Sequence, residues 1–141
     1  MDHKEVVRRK LKIMSTHSRI AIKTKEGIFK SIYCHFDGRD VGGVLVEHYT
    51  DEQKVIDLIE LGDISYLEPE IFPTENHSFR EPQKGITVFY GRDRGESGTE
   101  YLRHRSEKEL RNESDDITYL YENGVWYSLY NHLPKKILKS F

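Results

Sequence analysis

Apolar and polar positions alternate along three stretches of the chain and take up helical spacing in between. Arg19 to Thr24 places Ile20 and Ile22 on one face of an extended segment. Lys25-Glu26-Gly27 supplies a reversal, and Ile28 to His35 resumes strand character. Ile28, Ile32 and Cys34 then share a face with the stem of Lys30, while Phe29, Tyr33 and His35 share the other, so this strand is expected inside a sheet. From Val41 to Leu61 the period changes. Val44, Leu45, His48 and Tyr49, then Val55, Ile56, Leu58 and Ile59, predict two consecutive helices broken near Thr50 and ending at Gly62. Thr50-Asp51-Glu52-Gln53 reads as a capping box for the second.

The segment from Glu68 to Gly85 has no sustained period and holds Pro69, Pro73 and Pro82, which predicts a long connection. Ile86 to Tyr90 reads as a strand, Gly91 to Gly98 as a charged glycine-rich turn facing water, and Tyr101 to Asn112 as a short helix. The clearest local signal is Ile117–Glu122, Asn123-Gly124, Val125–Tyr130, a hairpin whose two central residues need positive φ. Pro134 ends its second strand. The expected fold is α+β: a mainly antiparallel sheet with the two central helices packed on one face. Residues 1–14 read as an N-terminal extension with a weak amphipathic pattern through Val6, Val7, Leu11 and Ile13, and Met14 as an alternative start. Residues 15–141 form a single domain of a size that supports one core.

Composition narrows the functional classes. Charged residues make up 33% of the chain, yet Lys and Arg balance Asp and Glu to a net charge of -2, so duplex nucleic acid is not an expected partner. Cys34 is the only cysteine, which excludes an intramolecular disulfide and favours a reducing compartment. No apolar run approaches the roughly 20 residues needed to span a bilayer, so no membrane association is expected.

Candidate chemistry gathers at two places. Ile32 to Asp40 runs from a strand into a turn carrying Cys34, His35, Asp37, Arg39 and Asp40. His35, Asp37 and Asp40 offer nitrogen and oxygen donors for a metal, against the simpler reading of a turn with a locally bonded histidine. Cys34 and His35 are adjacent on a strand and point to opposite faces, so they make no thiolate–imidazole pair. Arg92 and Arg94 flank Asp93, and Arg103 and Arg105 flank His104. With tyrosines at 90, 101, 119 and 127 they suggest a phosphate or nucleotide pocket, against the alternative of solvated charges. No cofactor is expected. The nine tyrosines, six phenylalanines and one tryptophan suggest instead a protein-binding surface with Tyr66, Phe79, Trp126 and Tyr130 as anchors, against burial in the core or a homodimer.

The runs Ser15-Thr16-His17-Ser18-Arg19-Ile20-Ala21-Ile22 and Ser31-Ile32-Tyr33-Cys34-His35-Phe36-Asp37-Gly38 resemble small bacteriophage and prophage proteins. Those carry Ser-Thr-Arg-Ser-x-Ile-x-Ile and then Ile-Tyr-Cys-His-Trp-Asp-Gly-Tyr. Glu47-His48-Tyr49, Leu61-Gly62-Asp63-Ile64-Ser65, Tyr90 to Glu96 and Tyr121 to Tyr127 are similar too. His17, Phe36 and Arg39 depart from the arginine, tryptophan and tyrosine of that pattern. The resemblance implies a phage accessory protein acting in the bacterial host cytoplasm and carries no established activity with it. The expected function is binding of a bacterial host protein, in host takeover or defence evasion. A pocket for a phosphorylated nucleotide or defence signal ranks second, and a metal-dependent hydrolase at His35, Asp37 and Asp40 third.

Overall fold

The β-branched residues of the first hairpin form its strands as the alternation predicts. A computed structural model describes residues 17–36, 38–130 and 133–139, with the side chain of Arg39 excepted. The extension at 1–14, Asp37 and the Arg39 side chain lie outside the described residues. Strand β1 (Ser18–Lys23) pairs antiparallel with β2 (Phe29–Cys34), setting Ile20 opposite Ile32. The chain then forms α1 (Gly38–His48), α2 (Glu52–Glu60), β3 (Ile64–Tyr66), β4 (Val88–Phe89) and α3 (Tyr90–Arg94). It closes with β5 (Leu102–His104), α4 (Glu107–Asn112), β6 (Ile117–Glu122), β7 (Val125–Leu129) and β8 (Lys136–Ile137).

The sheet runs β4-β3-β2-β1-β6-β7-β8, with β5 also on β2. It is a mixed sheet: five of the seven strand pairings among the described residues are antiparallel, while β1 lies parallel to β6 and β2 parallel to β3, which the sequence did not predict. Those two joints link segments far apart in sequence, and no turn residue announces them. The Asn123-Gly124 hairpin forms as expected, with φ of 50° and 78° and Glu122 opposite Val125.

One sheet face carries Ile20, Ile22, Ile32, Cys34, Tyr119, Tyr121 and Trp126, buried against Val41, Leu45, Val55, Leu58 and Ile59 of α1 and α2. The other face buries Ala21, Phe29, Leu120 and Leu129 with Leu110 of α4, so helices cover both faces rather than one. Burial of apolar area at about 25 cal/mol per Å² is what holds these layers. Among the described residues no helix is long and apolar enough to cross a membrane.

Three local expectations shift. The cap of α2 is Asp51, whose Oδ2 accepts the Lys54 N–H at 3.1 Å, while Gln53 turns to Asp57. A carboxylate there also suits the positive end of the helix. Ile86–Tyr90 supplies only the two residues of β4, because Tyr90 begins the single turn of α3 in place of a water-facing loop. Tyr101–Asn112 divides into β5 and α4, the latter capped by Ser106 Oγ on the Glu109 N–H. Gly62 does end its helix, for two reasons. Its φ is +89°, and an added Cβ would stand 2.3 Å from the Thr99 carbonyl oxygen.

Candidate functional site

The junction after β2 holds His35 by local bonds. Its Nδ1 lies 2.7 Å from the Tyr33 hydroxyl, its ring stacks on His17 at 4.6 Å, and Phe36 meets it edge-on. Partial burial, and then the nearby His17, push the His35 pKa down, and burial pushes the Tyr33 phenol up. Both directions favour the neutral forms of the two partners in this hydrogen bond, whose donor is set by the imidazole tautomer. Cys34 is buried on the opposite face, its thiol facing the Phe36 carbonyl. Asp40 is exposed on α1, and among the described residues no three His, Cys, Asp or Glu side chains converge on a metal position.

On the same face as His35, Arg19 stands beside Tyr33 and is only 7% exposed. Its Nε donates to Ser31 Oγ at 3.0 Å, and that hydroxyl meets His104 Nε2 at 2.8 Å. Ser31 Oγ thus bridges Arg19 and His104, and the proton in its bond to the imidazole lies on whichever partner the His104 tautomer dictates. Burial first, with Arg19 nearby, lowers the His104 pKa against the pull of Glu113 and Glu109. A depressed histidine stabilises the fold above its unfolded value of 6.5, and that contribution is lost as pH falls through the folded value. The urea midpoint is therefore expected to fall as the buffer is taken below about pH 6.5, with His35 contributing to the same slope. His104→Gln should flatten the slope in part, and an unchanged slope in that variant would rule out this origin.

Three of the four arginines singled out for an anion have partners within the fold, and Arg105 is exposed. Arg92 donates from Nε to Asp93 Oδ1 (2.8 Å), from Nη1 to the Ile71 carbonyl (2.7 Å) and from Nη2 to the Thr87 carbonyl (3.0 Å). Arg94 pairs with Glu96 at 2.6 Å and lies over the rings of Phe79 and Tyr90. Arg103 donates to the Tyr101 hydroxyl. The turn expected to offer guanidinium groups to a phosphate thus uses them to hold its neighbours.

The four interface candidates separate. Trp126, at 5% exposure, is inside the core with its indole N–H on the Tyr49 carbonyl at 2.9 Å, which corrects its expected display on the hairpin. The alternation placed Trp126, Ser128 and Tyr130 on one face correctly, but α1 and α2 cover that face at Trp126. Tyr66 and Phe79 are half-buried. Tyr130 is 50% exposed, and Leu133 (62%) and Ile137 (58%) stand with it at the β7–β8 end of the sheet.

Two cavities open there. One of about 330 Å³ is lined by Ser128, Tyr130, Leu133, Pro134 and Lys136. A second, of about 260 Å³, shares Ser128 and Tyr130 and runs to Gly42, Gly43 and Val46 of α1 and to Leu138 and Lys139. Together they form a groove between the last strands and the first helix. Sequence reasoning found Tyr130 and missed the rest. The paired glycines inside a helical pattern were the available signal, since each weakens the helix by up to about 1 kcal/mol relative to alanine.

No protein-family model, curated protein or solved structure matches the chain.

Proposed function

We propose that the chain is a noncatalytic accessory protein of the bacteriophage type that binds a bacterial host protein in the host cytoplasm, serving host takeover or evasion of defence. The observation that carries this reading is that exposed Tyr130 and Leu133 stand together in the lining of a groove at one end of the sheet. Exposed apolar groups clustered beside a groove mark a contact surface more often than an incidental one. The titratable groups weigh the same way: His35, His104, Arg19 and Arg92 are engaged with neighbours inside the fold.

Affinity capture from bacterial lysate with the full chain, identified by mass spectrometry and followed by titration of the purified partner, tests the reading. One saturable partner is expected, held at least about tenfold less tightly by Tyr130→Asp/Leu133→Asp, a difference of about 1.4 kcal/mol. Both positions are exposed, so the double variant should keep its circular dichroism spectrum. Absence of any saturable partner, or equal binding by the variant, would overturn the proposal.

A further inference from the structure

The groove has a sign and a shape that together say what fits it. Among the described residues the only charged side chains lining it are Lys136 and Lys139, and neither has a carboxylate within ion-pairing distance. Lys135, by contrast, is taken up by Glu107 and Glu122. The remaining lining is apolar or small. Gly42 is closely packed within the fold, since a Cβ there would stand 3.0 Å from the Tyr119 ring, which would have to shift. Gly43 is not: a Cβ would meet nothing within 4 Å. A helix-interior glycine with no packing partner costs stability without return inside the fold, and here it keeps one wall of the groove low.

The outer edge of β8, on which none of the described residues forms a strand, adds direction. The Leu138 N–H donates to the Trp126 carbonyl, and Lys136 pairs with Ser128, so the main chain at 136 and 138 faces β7. The N–H and carbonyl of Ile137, at the intervening position, therefore point away from the sheet, as a strand's alternation requires. Such an edge accepts an extended segment through main-chain hydrogen bonds, with alternate side chains seated in adjoining pockets.

We infer that this groove takes an extended acidic segment of the partner protein, laid as an added strand along β8 with its apolar side chains between the β7–β8 pair and α1. The inference rests on the protein-binding reading and names the chemistry of the partner. Two other occupants have the wrong sign. Residues 1–16 carry five Lys or Arg against two Asp or Glu. A second copy packed symmetrically on the same edge would set Lys136 and Lys139 against their own kind.

Selection of a random ten-residue peptide library on the intact chain tests it directly. Recovered peptides should carry excess Asp and Glu interspersed with apolar residues, and bind more weakly as salt is raised. Lys136→Glu/Lys139→Glu should weaken them at least about tenfold, as should Gly43→Trp, which fills the wall. Gly43→Ala should fold at least as stably and bind within about threefold of the parent, showing that bulk and not loss of fold closes the groove. Neutral or basic winners, no winners, or winners indifferent to these substitutions would overturn the inference. A host partner captured equally well by Lys136→Glu/Lys139→Glu would also defeat it while leaving host-protein binding intact. Acidic winners without any captured host protein would instead defeat the host-protein reading and leave the groove's preference standing.

Discussion

Trp126→Ala should lower the unfolding free energy by about 3–5 kcal/mol, the range for truncating a buried aromatic side chain. The indole is almost fully enclosed and meets Tyr121 edge-on with ring centres 5.2 Å apart. It also reaches across the core, since its N–H is bonded to the Tyr49 carbonyl just beyond α1. Truncation thus leaves a cavity where the β6–β7 hairpin meets the helices and strips the end of α1 of a bond made in a water-poor setting. Trp126→Phe separates these losses: it restores most of the volume, cannot donate, and should cost clearly less than alanine. Equilibrium urea unfolding measures both. A loss below about 1 kcal/mol for alanine would mean that the core closes over the gap, against the packing described.

Asp93→Ala should cost about 3 kcal/mol, because it breaks a buried ionic cluster and leaves its cation behind. Asp93 is 5% exposed in its side chain and His77 2%. One carboxylate oxygen takes the Phe89 N–H at 2.8 Å and lies 3.1 Å from His77 Nε2, while the other takes Arg92 Nε. His77 in turn accepts the Gln83 N–H on Nδ1, and Arg92 reaches the carbonyls of Ile71 and Thr87. The cluster therefore fastens the proline-containing connection between β3 and β4 onto α3. Burial alone would raise the Asp93 pKa, but bonds from Arg92, Phe89 and His77 outweigh it and bring the carboxyl below its ordinary 3.8. That stabilisation is present above the unfolded value and fades as acid takes the pH through the folded one. Asp93→Asn should accordingly lose less stability than the parent on acidification below about pH 3.8. Hydrogen exchange in residues 71–87 is the local readout. It should accelerate in Asp93→Ala while β1 and β6 stay protected, and unchanged protection there would show that something else holds the connection.

What could be read from the chain, and what could not, follows from the range of each interaction. The two hairpins were legible because Gly27 and Asn123-Gly124 encode their turns within a few residues. The α1–α2 pair was legible because its apolar spacing repeats over two turns or more. The cap moved by one residue because Thr50 and Asp51 both carry suitable oxygens, and only the backbone angles at 51 choose between them. Helix α3 was missed because five residues are too few to show a period. Arg92 was misread for a related reason: charge in a glycine-rich run looks solvated until tertiary packing brings the Ile71 and Thr87 carbonyls to it. The groove escaped notice because its walls come from α1, β7 and β8, and only Tyr130 announced itself by type.

The parallel pairing of β1 with β6 has a bearing on how the chain is made. Ser18 meets Ile117, so a strand near the start waits for a partner that leaves the ribosome roughly a hundred residues later, and closing a loop of that length is slow. Until then, the edge of β1 that will receive β6 has main-chain groups without their final partners. A nascent chain of this protein should therefore stay dependent on chaperone holding until the Asn123-Gly124 turn has emerged, and complete its fold only afterwards.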